Sequence, residues 1–336
     1  MFQAILRVII FTDIAVLRFP ENYYAELAIS FLPYIIGILL IWMIISFINL
    51  RKYLKKTNIK AIQRNMRWLL LLSFGVLFII QSNTFNSFYN YKSTWPDDLP
   101  TWWPSTNVKV LYANIHKDNT DYSWIETTIQ NTNPDLIMFV EFSENHYIHL
   151  KDFLQQNYPY INSTTRSKKF IGSMVFSKYK LENRADNFPQ WGWRYAFFSI
   201  QPQGRKEHYF YLIHTSSPDS YTHFLMRNKQ LATFADDFSS HQAGYRAVDD
   251  KVCIVGDFNL TPRSAYYKTF EEKLGAWYID ITRELPIAFT RRFFEFPLFW
   301  AHIDHIRSNS SDTAKEVQTI DIPGSDHKWL LFTITN

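Results

Sequence analysis

The stretch CIVGDFNLTP, Cys253 to Pro262, stops an apolar run at Gly256, Asp257 and Asn259. That pattern reads as a buried strand that delivers polar groups at its end. In extended backbone, residues i and i+2 face the same side, so Asp257 and Asn259 would address one ligand. An aspartate can orient or deprotonate a water, and an asparagine can donate to an oxygen without adding negative charge. Gly256 would let the backbone turn tightly just before them. Alone, Gly-Asp-x-Asn is more often a turn held by its own side chains. Its company changes the reading. Other apolar runs end at Asn114, Glu141 and His214, and Asp304, Asp326 and His327 follow in HIDHI and GSDHKW. Carboxylates, amides and histidines beyond apolar stems are how a rigid scaffold holds a site.

The stems are short. VKVLYANI (108–115), DLIMFVEF (135–142), GSMVFS (172–177), HYFYLIHT (208–215) and KVCIVGDF (251–258) read as strands. Asp121–Thr132 and Tyr221–Phe238 have helical spacing between them. Near-continuous apolar strands alternating with helices predict an α/β or α+β domain with covered sheets.

The motifs ANIH, PDLIMFVEF, GSMVFSKY, IHTSSP, RNKQL, VGDFNLTP, HIDHI and GSDHKWLLF are spread over about Val108 to Thr333. In that order they resemble the endonuclease/exonuclease/phosphatase superfamily, the DNase I-like fold. The resemblance implies a four-layer α/β sandwich with two central mixed β-sheets. It implies that Asp257 positions or activates water, that Asn259 contacts phosphate, and that His327 contacts phosphate with Asp304 orienting it. His214 matches a second histidine, able to contact phosphate or assist the leaving oxygen. Glu141 matches the metal carboxylate, with Asn114 and Asp326 completing that site directly or through water. The implied cofactor is Mg2+, with Mn2+ or Ca2+ as alternatives. Arg227 and Gln230 of RNKQL are read as helix anchors, and Glu144, His116 and His146 as solvated loop residues. His302, Asp304 and His305 weakly suggest a transition-metal site. Trp191 and Trp193 offer a substrate surface or ordinary packing. The phenylalanine-rich stretch before HIDHI departs from the family pattern.

The first 91 residues read differently. Leu27 to Leu50 holds 24 residues without a charge, enough to cross a bilayer. A second span is expected over about 68–85, in the uncharged stretch that runs on to Tyr91. Residues 4–19 are apolar but carry Arg7, Asp13 and Arg18, and fit a poor extra span, an interfacial helix or a shortened remnant. Between the spans, residues 51–67 hold seven basic side chains and no acid. The positive-inside rule then places that loop in the cytoplasm and the later chain outside. Residues 92–107, with three prolines and three tryptophans, read as a stiff tether near lipid. Residues 108–334 form the expected catalytic domain.

Composition narrows the partners. The formal net charge is +4, but taking those seven residues from the 35 basic ones leaves 28 against 31 acidic. The basic excess is local and gives no independent support for nucleic acid. A single cysteine, Cys253, excludes an intrachain disulfide and a thiolate metal cluster. The expectation is a bacterial integral membrane protein with an extracytoplasmic, metal-dependent phosphodiesterase domain. Its substrate would be nucleic acid or a lipid headgroup; the bilayer is contacted through the N-terminal helices, and no protein partner is implied. The competing reading is a non-catalytic binding module. Against it, binding alone does not need both Asp257 and His327.

Overall fold

Alternation along VKVLYAN decides how the domain is layered. In the computed structural model, strand β1 (Val108–Asn114) sends Val108, Val110 and Tyr112 into one apolar core and Leu111 and Ala113 into another. A strand buried on both faces needs a layer on each side. The described residues are 21–30, 34, 41, 44, 45, 48, 107–163, 172–185, 195–202, 207–242, 251–275, 278–284, 290–292, 300–309 and 314–335.

Two six-stranded mixed sheets form the centre. After β1 come β2 (Leu136–Phe142), β3 (Tyr160–Ser163), β4 (Gly172–Ser177), β5 (Leu181–Ala185), β6 (Tyr195–Ile200), β7 (His208–His214) and β8 (Lys251–Asp257). Then follow β9 (Ile279–Asp280), β10 (Arg291–Arg292), β11 (Trp300–Ala301), β12 (Asp304–Ser308), β13 (Ala314–Asp321) and β14 (Lys328–Ile334). The first sheet runs β13-β14-β1-β2-β4-β3 and the second β5-β6-β7-β8-β12-β9, with β10 and β11 pairing separately. The core between the sheets joins Val110, Tyr112, Met138 and Phe332 from the first to Phe198, Leu212, Val255 and Ile306 from the second.

Helices close the outer faces. α1 (Tyr23–Ser30) precedes the domain; α2 (Tyr122–Thr132) and α3 (Glu144–Asn157) cover the first sheet, while α4 (Tyr221–Gln242) and α5 (Ala265–Leu274) cover the second. Their ends follow local chemistry. α2 stops at Asn133, which takes φ 44° ahead of Pro134. Ser143 caps α3, its Oγ accepting from the His146 N–H while its own N–H donates to His146 Nδ1. His146 is therefore a buried capping residue and not the solvated loop residue expected; burial pushes its imidazole down to about 4.

Each sheet contains one parallel pair among its described strands: β1 with β2, crossed over by α2, and β7 with β8, crossed over by α4. Parallel neighbours end at the same edge, so both pairs present their carboxyl-terminal residues together.

Of the N-terminal expectations, residues 4–19, 68–85 and the tether through residue 106 lie outside the described residues. Within 27–50, the described positions 27–30, 34, 41, 44, 45 and 48 are helical. Among the described residues no helix is long and apolar enough to cross a membrane. Trp191 and Trp193 also lie outside them.

Candidate active site

The paired βαβ units supply four of the site residues. β1 ends at Asn114, β2 carries Glu141 just before its end, β7 ends at His214 and β8 at Asp257. His214 and Asp257 sit opposite each other in register. Glu141 is re-aimed by a register shift between Phe139 and Phe142 and adopts φ 57°. Bulges near sites commonly serve to turn a side chain. Left-handed backbone costs a non-glycine residue about 1–2 kcal/mol, so Glu141 is held there by its contacts.

Asn114 joins the halves. Its Nδ2 donates to Glu141 Oε1 at 3.1 Å and to Asp257 Oδ2 at 3.2 Å, and lies 3.4 Å from His327 Nε2. Its Oδ1 accepts from the His116 N–H. The amide nitrogen, not the oxygen, thus faces the cluster, and Asn114 stands as a donor between the two carboxylates. Ser325 adds a brace: its Oγ donates to the Asn114 carbonyl and accepts from the His327 N–H.

β12 begins opposite the end of β8, setting Asp304 against Asp257. Asp304 accepts from Tyr112 Oη on one oxygen and faces His327 Nδ1 at 2.9 Å with the other. Its N–H donates to Thr290 Oγ1. Burial alone would neutralise Asp304, but His327, Thr290 and Tyr112 hold its carboxyl below the usual range. Burial also opposes a charged His327, yet Asp304 and Asp257 raise it to about 9. That direction favours the imidazolium form of His327 at neutral pH. Its Nε2 lies 3.7 Å from Asp257 Oδ2. Asp257 itself is raised, first by burial and then by Asp304. That direction suits a carboxylate that must take a proton.

Asn259 departs from the same-face expectation. β8 ends at Asp257, and Asn259 takes φ 46°, so the two are not consecutive outward residues of one strand. The Asn259 N–H donates to Asp257 Oδ1 at 2.8 Å, its Nδ2 to the Thr215 carbonyl, and its Oδ1 accepts from Arg291 Nη1. It organises the loop as much as it faces the cleft. Gly256 is likewise no turn residue. It lies inside β8, where a Cβ would come 1.9 Å from the Ile213 carbonyl oxygen of β7. Close strand approach demands the glycine.

Arg291 was not among the expected site residues. Its Nε donates to Asp326 Oδ2 at 3.1 Å, and its backbone bridges to His327. The signal lay in the TRRFF segment, where the family pattern is loose. Asp326 is part-exposed, with Oδ1 3.9 Å from His327 Nε2.

Glu141 fits a hard divalent cation. Burial opposes its charge, but His214, the Asn114 amide and the Lys117 N–H keep its carboxyl below the ordinary range. It is part-exposed, His214 Nε2 stands 3.7 Å away, and Asp257 is one hydrogen-bonded amide distant. One ionised carboxylate open to water and substrate phosphate is the donor set Mg2+ accepts. The suspected transition-metal group resolves otherwise. Asp304 belongs to His327, while His302 and His305 gather with Asp280. Each ring nitrogen of His305 already faces an oxygen, Asp280 Oδ2 or the Leu260 carbonyl, at 2.9 Å. His305 thus braces the catalytic loop from behind.

Comparison with known proteins agrees with this geometry. A profile of the Endonuclease/Exonuclease/phosphatase family matches residues 111–327. No curated protein matches the chain. Among solved structures, TDP2 from Caenorhabditis elegans superposes with a TM-score of 0.55 at 16% identity, covering 68% of this chain and 74% of that one. D. rerio TDP2 complexed with single strand DNA product superposes with a TM-score of 0.52 at 15% identity, covering 69% of this chain and 100% of that one. At these identities the likeness is one of fold.

Proposed function

The chain belongs to the endonuclease/exonuclease/phosphatase family, whose members are metal-dependent phosphoric ester hydrolases, and on that premise we propose that it is a membrane-anchored phosphodiesterase acting on nucleic acid. The observation that carries the reading is the continuous set Glu141–Asn114–Asp257–His327–Asp304, joined by hydrogen bonds or close charge contacts across both sheets.

A divalent cation, Mg2+ or Mn2+, at Glu141 would polarise a phosphate oxygen and offset developing negative charge. Asp257 orients the attacking water and accepts its proton, its raised carboxyl matched to that task. His327, charged by Asp304, faces the same cleft and neutralises the pentavalent phosphorane. Asn114 holds the Glu141 and Asp257 carboxylates apart and donates between them. His214, 3.7 Å from Glu141, would assist the leaving oxygen.

The nucleic-acid reading is supported by the single strand DNA product bound to a protein of this fold. A lipid-headgroup substrate is the second reading. It is favoured by the uncharged Leu27–Leu50 stretch, whose first four residues belong to the helix docked beside the catalytic loop. The same docking supports the proposed topology, with loop 51–67 cytoplasmic and residues 21–26 on the side of the extracytoplasmic domain.

Full-length protein in detergent, assayed with Mg2+, Mn2+ or EDTA beside Asp257→Ala, tests the proposal. Supercoiled plasmid, single-stranded DNA, sphingomyelin vesicles and bis(p-nitrophenyl) phosphate are the substrates. Metal-dependent cleavage of DNA, lost in the variant, is the expected result. Cleavage confined to vesicles selects the lipid reading, and a folded protein that neither binds metal nor turns over any substrate selects a binding module.

A further inference from the structure

Arg227 is 1% exposed, and an arginine cannot shed its proton, so its charge must be met inside the fold. The domain itself supplies no carboxylate to it among the described ion pairs. The partner is Glu26 of α1, whose Oε1 lies 2.6 Å from Arg227 Nη1 and which is itself 4% exposed. Glu26 is the last charged residue before the uncharged Leu27–Leu50 stretch.

The pair touches the catalytic loop at two points. Arg227 Nη1 also donates to the Asn259 carbonyl at 2.9 Å. Ser264 Oγ donates to Glu26 Oε2 at 2.7 Å while capping α5 through the Tyr266 N–H. The Glu26–Arg227 pair thus clamps both ends of the segment Asn259–Ser264, the carboxylate at Ser264 and the guanidinium at Asn259. From Asn259 the path to chemistry is a single bond, since its N–H donates to Asp257 Oδ1. α1 is fastened around this clamp by Tyr23 Oη to the Pro218 carbonyl and by Tyr266 Oη to the Glu21 carbonyl.

We infer that residues 21–30 are a positioning element of the active site, in which Glu26 neutralises Arg227 and thereby fixes the Asn259 backbone that orients Asp257. The segment is set apart in sequence from the domain it completes. Without Glu26, a buried guanidinium is left uncompensated against the loop, and the loop must move to let it reach water. Asn259 takes left-handed backbone, and the Arg227 bond to its carbonyl holds that conformation together with the contacts to Asp257, Thr215 and Arg291. Glu26 and Arg227 touch neither substrate nor metal in this scheme; they act through Asn259.

This inference rests on the hydrolase reading, and its test separates the two. Full-length Glu26→Gln and wild type are compared in detergent for kcat and KM on bis(p-nitrophenyl) phosphate, for melting temperature, and for amide exchange over residues 257–264. The expected result is a kcat about 100-fold lower, the scale of a small misplacement of a reacting group, with KM within about twofold and faster exchange confined to that segment. A folded Glu26→Gln protein with wild-type kcat and exchange overturns the inference. So does a variant that only melts earlier, since that is a structural tie alone. Should Glu26→Gln not fold, Glu26→Asp decides: its retained charge on a shorter stem predicts a partial loss of kcat at constant KM, and full kcat refutes the clamp. A wild type that hydrolyses no phosphodiester defeats the hydrolase reading, and the exchange measurement then judges the clamp by itself.

Discussion

Asp304 Oδ2 and His327 Nδ1 lie 2.9 Å apart, and neither side chain is open to solvent. The pair is held from both sides, by Tyr112 at the carboxylate and Thr290 at the Asp304 N–H, and by Asp257 and Asn114 near the other ring nitrogen. A buried imidazolium flanked by two carboxylates is a fixed positive charge whose position is set before substrate arrives.

Replacing Asp304 with Asn keeps the shape and removes the charge that raises His327. Turnover should fall by roughly 100-fold or more, the scale of a lost charge stabiliser. The basic limb of the kcat profile should move to lower pH in the same variant. A steady-state pH series on wild type and Asp304→Asn checks both, and an unmoved limb would detach His327 from the reaction.

Stability should carry the same signature in metal-free protein. His327 is raised to about 9 in the fold, against about 6.5 for an unfolded histidine. A raised imidazole contributes stability that is fully present below the unfolded value and lost as pH rises through the folded one. The full contribution is on the order of 3 kcal/mol. Melting temperatures in EDTA should therefore fall between pH 7 and pH 9.5 in wild type and fall less in His327→Gln. Equal slopes in the two proteins would contradict the assignment.

Glu141→Gln tests the cation site without emptying the cleft. The amide preserves volume and the contact to Asn114 but removes the principal charge assigned to the metal. Calorimetric titration with Mn2+ should show affinity reduced by roughly 10-fold or more, with little change in melting temperature in EDTA. Unchanged affinity would move the metal elsewhere, with Asp326 the next carboxylate to test.

Gly256→Ala makes a purely steric prediction. The new Cβ would meet backbone of the neighbouring strand at 1.9 Å, with no flexible side chain to yield. Parting β7 from β8 should cost about 3 kcal/mol or more and separate His214 from Asp257. Urea denaturation reads the loss directly; a variant as stable as wild type would show that the strands have room to spare.

How far the sequence reached is clearest at the strands. The five runs assigned from apolar content are β1, β2, β4, β7 and β8, each within one residue of its observed bounds at either end. These strands are buried on both faces, so their composition alone marks them. β9, β10 and β11 have two residues each and carry no periodicity to detect. β3 (YINS) and β5 (LENRA) carry polar residues and take their identity from the neighbours they pair with, whereas β6 (YAFFSI) is apolar and buried along its length like the five that were read. His146 shows the same limit in a helix, because a histidine that caps by burying its ring has the look of a solvated one in sequence.

The residue types of the site were legible because each follows an apolar stem and because their order over the chain is a long, specific pattern. Their roles depended on distances that no spacing encodes. Asn114 presents nitrogen because the His116 N–H takes its oxygen. Asn259 turns out of the strand because its N–H bonds Asp257. Arg291 enters from a segment with no periodicity, and Glu26 pairs with a residue some two hundred positions away. By itself the sequence determined the apolar strand stems, the covered α/β character of the domain and the chemical set at the strand ends, since burial and strand alternation are local. Only the tertiary structure decided which atom of each group faces the cleft and which distant charge holds the loop, since hydrogen bonds and buried ion pairs are settled between segments that local pattern cannot relate.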